Sequence, residues 1–191
     1  QRRRLPAPRW LSEDEVVRMN DVIADRRYRL IFQVIVATGL RVSEVLAMRV
    51  ADIDPEADLL RVPCGKGGNG RLVFLPKELR ERLRSYYRVF QPRGLYFTRG
   101  LHQKDVPICA ATLNEALNRA RKIAGIENKV TAHCLRHTFA IHSLRRGIDI
   151  VTLKEALGHR KIDSTIRYLT PDLRRDMAQQ LDLLTKLGVK P

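Results

Sequence analysis

Apolar residues recur at three- and four-residue intervals through most of this chain and give way near its middle to short β-like runs. Helical spacing begins after Ser12, a candidate N-cap, with Glu15 placed to complete a capping box and Val16, Val17, Met19 and Ile23 supplying the apolar face. Leu30, Ile31, Val34, Ile35 and Val36 predict a second helix over 28–37, closed by Gly39 in a left-handed cap. A short helix follows over 43–48. Then the period changes. Leu59-Leu-Arg-Val62 and Arg71-Leu-Val-Phe-Leu75 read as two strands around a turn at 65–70, where glycines and one asparagine supply positive φ, and Pro76 stops the second strand. Helical spacing resumes over 77–89, 112–124, 133–146 (Gly147 as stop), 150–157 (Asp149 as N-cap) and 163–168, and again over 173–187 after Pro171. Leu95-Tyr-Phe97 reads as a further short strand. These elements make a mainly α domain with a small antiparallel β-sheet, of the α+β class.

Composition narrows the picture. The 191 residues are enough for one domain with a real core, and no apolar run is long enough to span a membrane. The chain opens on Gln-Arg-Arg-Arg, without the apolar stretch of a secretory leader, and its first ten residues read as a basic, proline-broken linker. The net charge of +15, from 36 basic and 21 acidic residues, exceeds what solubility needs and points to a polyanionic partner. Cys64, Cys109 and Cys134 are odd in number and far apart, which supports neither zinc nor a disulfide framework and fits a reduced, cytoplasmic setting.

Chemistry-bearing residues concentrate in three stretches. Thr131-Ala-His-Cys-Leu-Arg-His-Thr-Phe-Ala140 is followed by Leu157-Gly-His159 and Tyr168; Arg41 lies in Ala37-Thr-Gly-Leu-Arg-Val-Ser-Glu44; Lys66 and Arg71 lie in Gly65-Lys-Gly-Gly-Asn-Gly-Arg71. Arg41 interrupts an apolar stretch, so it is either a buried cation paired with Glu44 or a guanidinium aimed at a phosphate and oriented by Glu44. His133 and Arg136 share one face of a helix near its N-terminus, where backbone N–H groups also favour an anion. His137 points elsewhere and reads as a structural hydrogen-bonding histidine; His102 and His142 suggest no role. Lys66, on a glycine-rich tip, is a solvated turn residue or a mobile general acid. A phenol with a pKa near 10, such as that of Tyr168, needs a base or nearby positive charge to act as a nucleophile. Arg71 is placed to contact a phosphate, and Arg80, Arg84 and Arg88 stud the helix over 77–89 as further candidate DNA contacts. Each signal alone has an ordinary structural reading; their joint occurrence in one order does not.

In type and order these residues resemble the active site of the tyrosine recombinases, the phage integrase and Xer-like family that cuts and rejoins DNA. The resemblance runs from about residue 11 to 171. It implies that Tyr168 attacks the scissile phosphate to form a 3′-phosphotyrosyl bond, Arg41 and Arg136 bind the non-bridging oxygens, Lys66 protonates the leaving 5′-oxygen, His133 moves a proton to or from the nucleophile, and His159 hydrogen-bonds the phosphate in the transition state. Glu44 and His137 are expected in supporting places. It further implies double-stranded DNA as partner, a homotetramer in the synaptic complex, no metal and no cofactor, and a cytoplasmic, nucleoid-associated place. Residues 1–10 are then an interdomain linker and 11–171 the catalytic domain. The stretch 172–191 is a C-terminal helix or tail, whose Leu181, Leu184 and Leu187 suit either docking on a neighbouring protomer or packing on its own domain; the family's N-terminal domain is expected to be missing from this chain. Integration, excision, dimer resolution and transposition of a mobile element share this chemistry. Two other readings stay open: a topoisomerase of the same mechanistic type, and a DNA-binding accessory factor without catalysis.

Overall fold

The computed structural model describes residues 10–54, 56–63, 70–100, 103–159, 161–166 and 168–169. Lys66, the tip of the glycine-rich hairpin, the linker before Trp10 and the expected helix over 173–187 lie outside the described residues. The elements in chain order are α1 (Glu13–Val22), α2 (Arg26–Thr38), α3 (Val42–Leu46), a 3₁₀ turn (Val50–Asp52), β1 (Ile53–Asp54), β2 (Leu59–Val62), β3 (Arg71–Phe74), α4 (Lys77–Phe90), β4 (Thr98–Gly100), β5 (Gln103–Pro107), α5 (Ala110–Ile123), α6 (Ala132–Arg145), α7 (Ile150–Leu157) and α8 (Asp163–Ile166).

Local chemistry sets the helix ends. Ser12 and Glu15 form the reciprocal capping box, Asp25 and Asp149 accept from the first turns of α2 and α7, and Thr131 Oγ1 accepts from Cys134 N–H at the start of α6. Gly39 ends α2 with φ +66°, and a Cβ there would overlap the Phe139 ring and come within 2.9 Å of Leu157. A bare backbone at this point lets the end of α2 sit directly on α6 and α7.

Helices α2 and α6 form the centre. Leu30, Ile31, Phe32, Val34 and Ile35 are buried on α2, and α6 is buried nearly all round, from Ala132 to Leu144. A second apolar cluster joins Ala140, Ile141 and Leu144 of α6 to Leu153 and Leu157 of α7 and to Tyr168. Strands β1, β2 and β3 form an antiparallel sheet in that order, with Leu60 opposite Val73 and Val62 opposite Arg71.

Besides β1 and the 3₁₀ turn, which the pattern does not announce, three elements differ from the sequence reading. Residues 95–97 are no strand: Leu95 makes one isolated bridge to Arg49, while Tyr96 and Phe97 are both buried in an aromatic cluster with Tyr86. The strand lies just beyond, as β4, in a hairpin with β5 that the pattern does not announce. The helix expected over 163–168 stops at Ile166, so Tyr168 sits past its end, with its N–H donated to Thr165 O in a last turn.

Candidate active site

Arg41, Val42, Ser43, Ala132, His133, Arg136, His137, His159, Ser164 and Tyr168 line one open cleft of about 420 Å³. Four separate stretches of chain therefore deliver the candidate residues to a single place. Of the expected catalytic set, Arg41, His133, Arg136, His159 and Tyr168 meet there; Lys66 is outside the described residues.

The C-terminal end of α7 organises the cationic part. Its last carbonyls have no partner within the helix and carry the negative end of the helix dipole. Three consecutive ones each receive an arginine: Ala156 O accepts from Arg71 Nε at 3.1 Å, Leu157 O from Arg136 Nη2 at 2.8 Å, and Gly158 O from Arg41 Nη2 at 3.0 Å. The three arginines come from β3, α6 and the turn before α3.

Arg136 is 4 % exposed, and its other terminal nitrogen, Nη1, donates to Gly39 O at 2.6 Å. Burial, reinforced by the like charge of Arg41, lowers its pKa to about 10, which leaves it cationic at neutral pH. Nη2 also meets His159 Nε2 at 2.8 Å. Arginine can only donate, so His159 Nε2 accepts, and the ring proton belongs on Nδ1, which lies 2.8 Å from the Oγ1 of buried Thr165.

Arg41 is the more accessible cation, with 43 % of its side chain exposed, and it is not the buried ion pair that the apolar surroundings suggested. It pairs with Glu44 at 3.0 Å all the same, so pairing and presentation to the cleft coexist. Glu44 accepts the Arg41 backbone N–H at 2.8 Å and both terminal nitrogens of Arg71 at 2.9 and 2.8 Å. Burial alone would raise the Glu44 pKa; the Arg71 hydrogen bonds, the Arg41 N–H and the two positive charges outweigh it and hold the group at about 2. Two guanidiniums thus share one carboxylate while Arg136 is held by main-chain carbonyls, and the cleft stays net cationic.

Tyr168 is 2 % exposed. Its ring stacks with that of His159 at a centroid distance of 6.2 Å and meets that of His137 at 5.1 Å, nearly edge-on. His137 in turn lies 4.1 Å from the His133 ring. The expectation that His137 points away from this group is therefore corrected: it is a buried wall of the cleft between His133 and Tyr168. The reason lies in Tyr168, which packs beside α6 from beyond α8 and so makes the His137 side part of the cleft.

None of the four arginines expected on DNA lines this cleft. Arg71 is spent on Glu44 and Ala156 and does not line the cleft. Arg80 pairs with Asp58, and Arg80, Arg84 and Arg88 border a separate groove beside Tyr87 and Leu83. Sequence reasoning missed Thr165, whose Oγ1 the fold brings to His159, and Ser43 and Ser164, which line the cleft. It also gave His142 no role, whereas its Nε2 lies 2.8 Å from Leu11 O.

The model of the phage integrase family matches residues 9–175. The chain belongs to the phage integrase family. Among similar proteins, the tyrosine recombinase XerA of Pyrococcus furiosus is 36 % identical over 185 residues, covering 94 % of this chain and 64 % of the relative. A crystal structure of XerA recombinase superposes with a TM-score of 0.82 at 32 % identity, covering 95 % of this chain and 66 % of the other. A XerH site-specific recombinase, solved bound to difH substrate before cleavage, matches with a TM-score of 0.74 at 25 % identity over 93 % of this chain and 55 % of its own. The chain thus spans a little under two thirds of the XerA relative and about half of XerH. Integrase-family membership accounts for the mainly helical fold with its small antiparallel sheets. Among the described residues, no helix is long and apolar enough to cross a membrane.

Proposed function

We propose that this chain is the catalytic part of a site-specific DNA recombinase that cuts and rejoins strands through a 3′-phosphotyrosyl intermediate. The observation that carries the reading is the convergence of Arg41 and Arg136 with His133, His159 and Tyr168 on one cationic cleft. A phosphodiester gains charge on its oxygens as the nucleophile adds, and fixed cationic donors stabilise that state; losing one such donor costs about 2.7–4 kcal/mol in comparable sites. Arg136 is pre-organised for this by its buried carbonyl contacts, and Arg41 by Glu44 and Gly158. Tyr168 forms the covalent bond, so the energy of the broken phosphodiester is kept and no ATP is consumed. In this scheme His133 transfers the proton at the tyrosine, Lys66 protonates the leaving 5′-oxygen, and His159 donates from Nε2 to the phosphate once a phosphate oxygen has taken over Arg136 Nη2, which requires the ring to gain a proton at Nε2, either as imidazolium or by moving its proton from Nδ1. His137 holds the tyrosine ring.

Duplex DNA as partner is supported by the charge of +15 and by the DNA-bound XerH relative. A tetrameric synaptic complex and the division into linker, catalytic domain and C-terminal tail belong to the same proposal, as does work on chromosomal or mobile-element DNA in the nucleoid. A resealing topoisomerase would use the same site, and the products distinguish it: relaxed circles without exchanged strands.

The test is covalent trapping on a nicked suicide duplex taken from the gene's own genomic surroundings, with EDTA present, comparing full-length wild type with Tyr168→Phe. The expected result is a denaturation-resistant adduct that is absent from the mutant. DNA binding by both proteins with no adduct from either would sink the catalytic reading in favour of the accessory-factor one.

A further inference from the structure

Arg71 stands out because it is tied to the site yet does not line it. We infer that Arg71 is a positioning residue that sets Arg41 through Glu44, and is not one of the phosphate contacts of the bound DNA; the inference rests on the recombinase reading above. Three of its nitrogens are engaged with protein acceptors, Nη1 and Nη2 with the two oxygens of Glu44 and Nε with Ala156 O, and only 16 % of its side chain is exposed. Its planar fork is what lets one side chain hold a carboxylate with two bonds and a helix carbonyl with a third.

The arrangement has a mechanical consequence. Glu44 Oε1 accepts from both Arg41 Nη1 and Arg71 Nη1, and Oε2 accepts from both the Arg41 N–H and Arg71 Nη2. Arg71 therefore fixes the carboxylate that orients Arg41 at main chain and side chain together. Gly158 belongs to the same device. Its carbonyl receives Arg41, and a Cβ on it would lie 2.8 Å from Arg71 Nη1, so the guanidinium packs directly over bare backbone. Arg71 is also the first residue of β3, paired with Val62 of β2. One side chain thus pins the base of the hairpin to both α3 and the end of α7.

Lysine at position 71 keeps the charge and loses the fork, which separates the two roles. In the full-length protein, Arg71→Lys and Arg71→Ala should both lower the single-turnover cleavage rate at saturating DNA, by about 10²-fold for a misplaced reacting group. Both should leave the slope of log binding constant against log salt at its wild-type value. A phosphate contact predicts the reverse: Arg71→Lys close to wild type in rate, and Arg71→Ala with a slope shallower by about 0.9. A slope that falls in Arg71→Ala, or an unchanged cleavage rate in Arg71→Lys, overturns the inference. The slope is read from binding alone, so it still decides the matter if the wild type proves unable to cleave; that failure would count against the recombinase reading instead. Thermal unfolding of Arg71→Lys checks that the fold is intact.

Discussion

Glu44 is the carboxylate that Arg41 and Arg71 share, and its ionisation is bound up with the fold. Its pKa falls from an ordinary 4.5 to about 2 in the folded chain. A carboxylate depressed in this way adds stability above its unfolded pKa, and the contribution is lost as pH falls through the folded value. Unfolding free energy should therefore decline between about pH 4.5 and 2, by roughly 2 kcal/mol from this group after allowance for its partial exposure. Glu44→Gln should be less stable at neutral pH and flatter across that acid window, as read from urea melts at several pH values. An acid limb of equal steepness in both proteins would mean that other carboxylates carry it. Arg41, Glu44, His133, Arg136, His159 and Tyr168 could all be picked out of the sequence, because their types and order are unusual together. Arg71 and His137 were picked out too, but without their neighbours: the partner of Arg71 lies 27 residues upstream, and the neighbour of His137 reaches it only through the turn after α8. No local spacing encodes either distance.

At the scale of elements, the end of α7 is the organising piece, since three arginines from elsewhere in the chain converge on three successive carbonyls. Gly158 makes this possible, with φ +64° and a guanidinium where a side chain would be. Gly125 supplies an internal control: its φ is +68°, and nothing lies within 4 Å of its would-be Cβ. Alanine at either site meets a left-handed backbone cost of about 1–2 kcal/mol. Only at Gly158 must the Arg71 guanidinium also move. Gly158→Ala should thus destabilise more than Gly125→Ala in thermal melts, and it alone should slow cleavage. Equal losses would mean that the close approach of Arg71 contributes nothing. Helix limits were readable because they are set by caps: Ser12 with Glu15, Gly39, and Asp149 act within a few residues of themselves. The strand read at 95–97 was misplaced, because Tyr96 and Phe97 are buried as neighbours in an aromatic cluster rather than alternating across a sheet. Strand pairing depends on such non-local packing.

Across the whole molecule, the N-terminal edge of the domain is fastened to the helix that carries the site. Leu11 is fully buried; its N–H donates to Thr138 Oγ1 at 3.0 Å, and its carbonyl accepts from His142 Nε2 at 2.8 Å. Trp10 lies under the Arg145 guanidinium at 4.2 Å, and Glu13 pairs with Arg146 at 3.0 Å. All four partners are on α6 or its C-cap, the helix whose first half presents His133 and Arg136. Residues 10–13 therefore form a strap laid along α6. Truncating Leu11 removes the apolar centre of this strap and leaves its hydrogen bonds strung across a void. Leu11→Ala should lower the unfolding free energy by about 3 kcal/mol, the usual range for a fully buried leucine. Val17, 58 % exposed on α1, is the matched comparison, and Val17→Ala should stay within about 0.5 kcal/mol of wild type. If the two variants melt together, residues 10–13 ride on α6 without holding it.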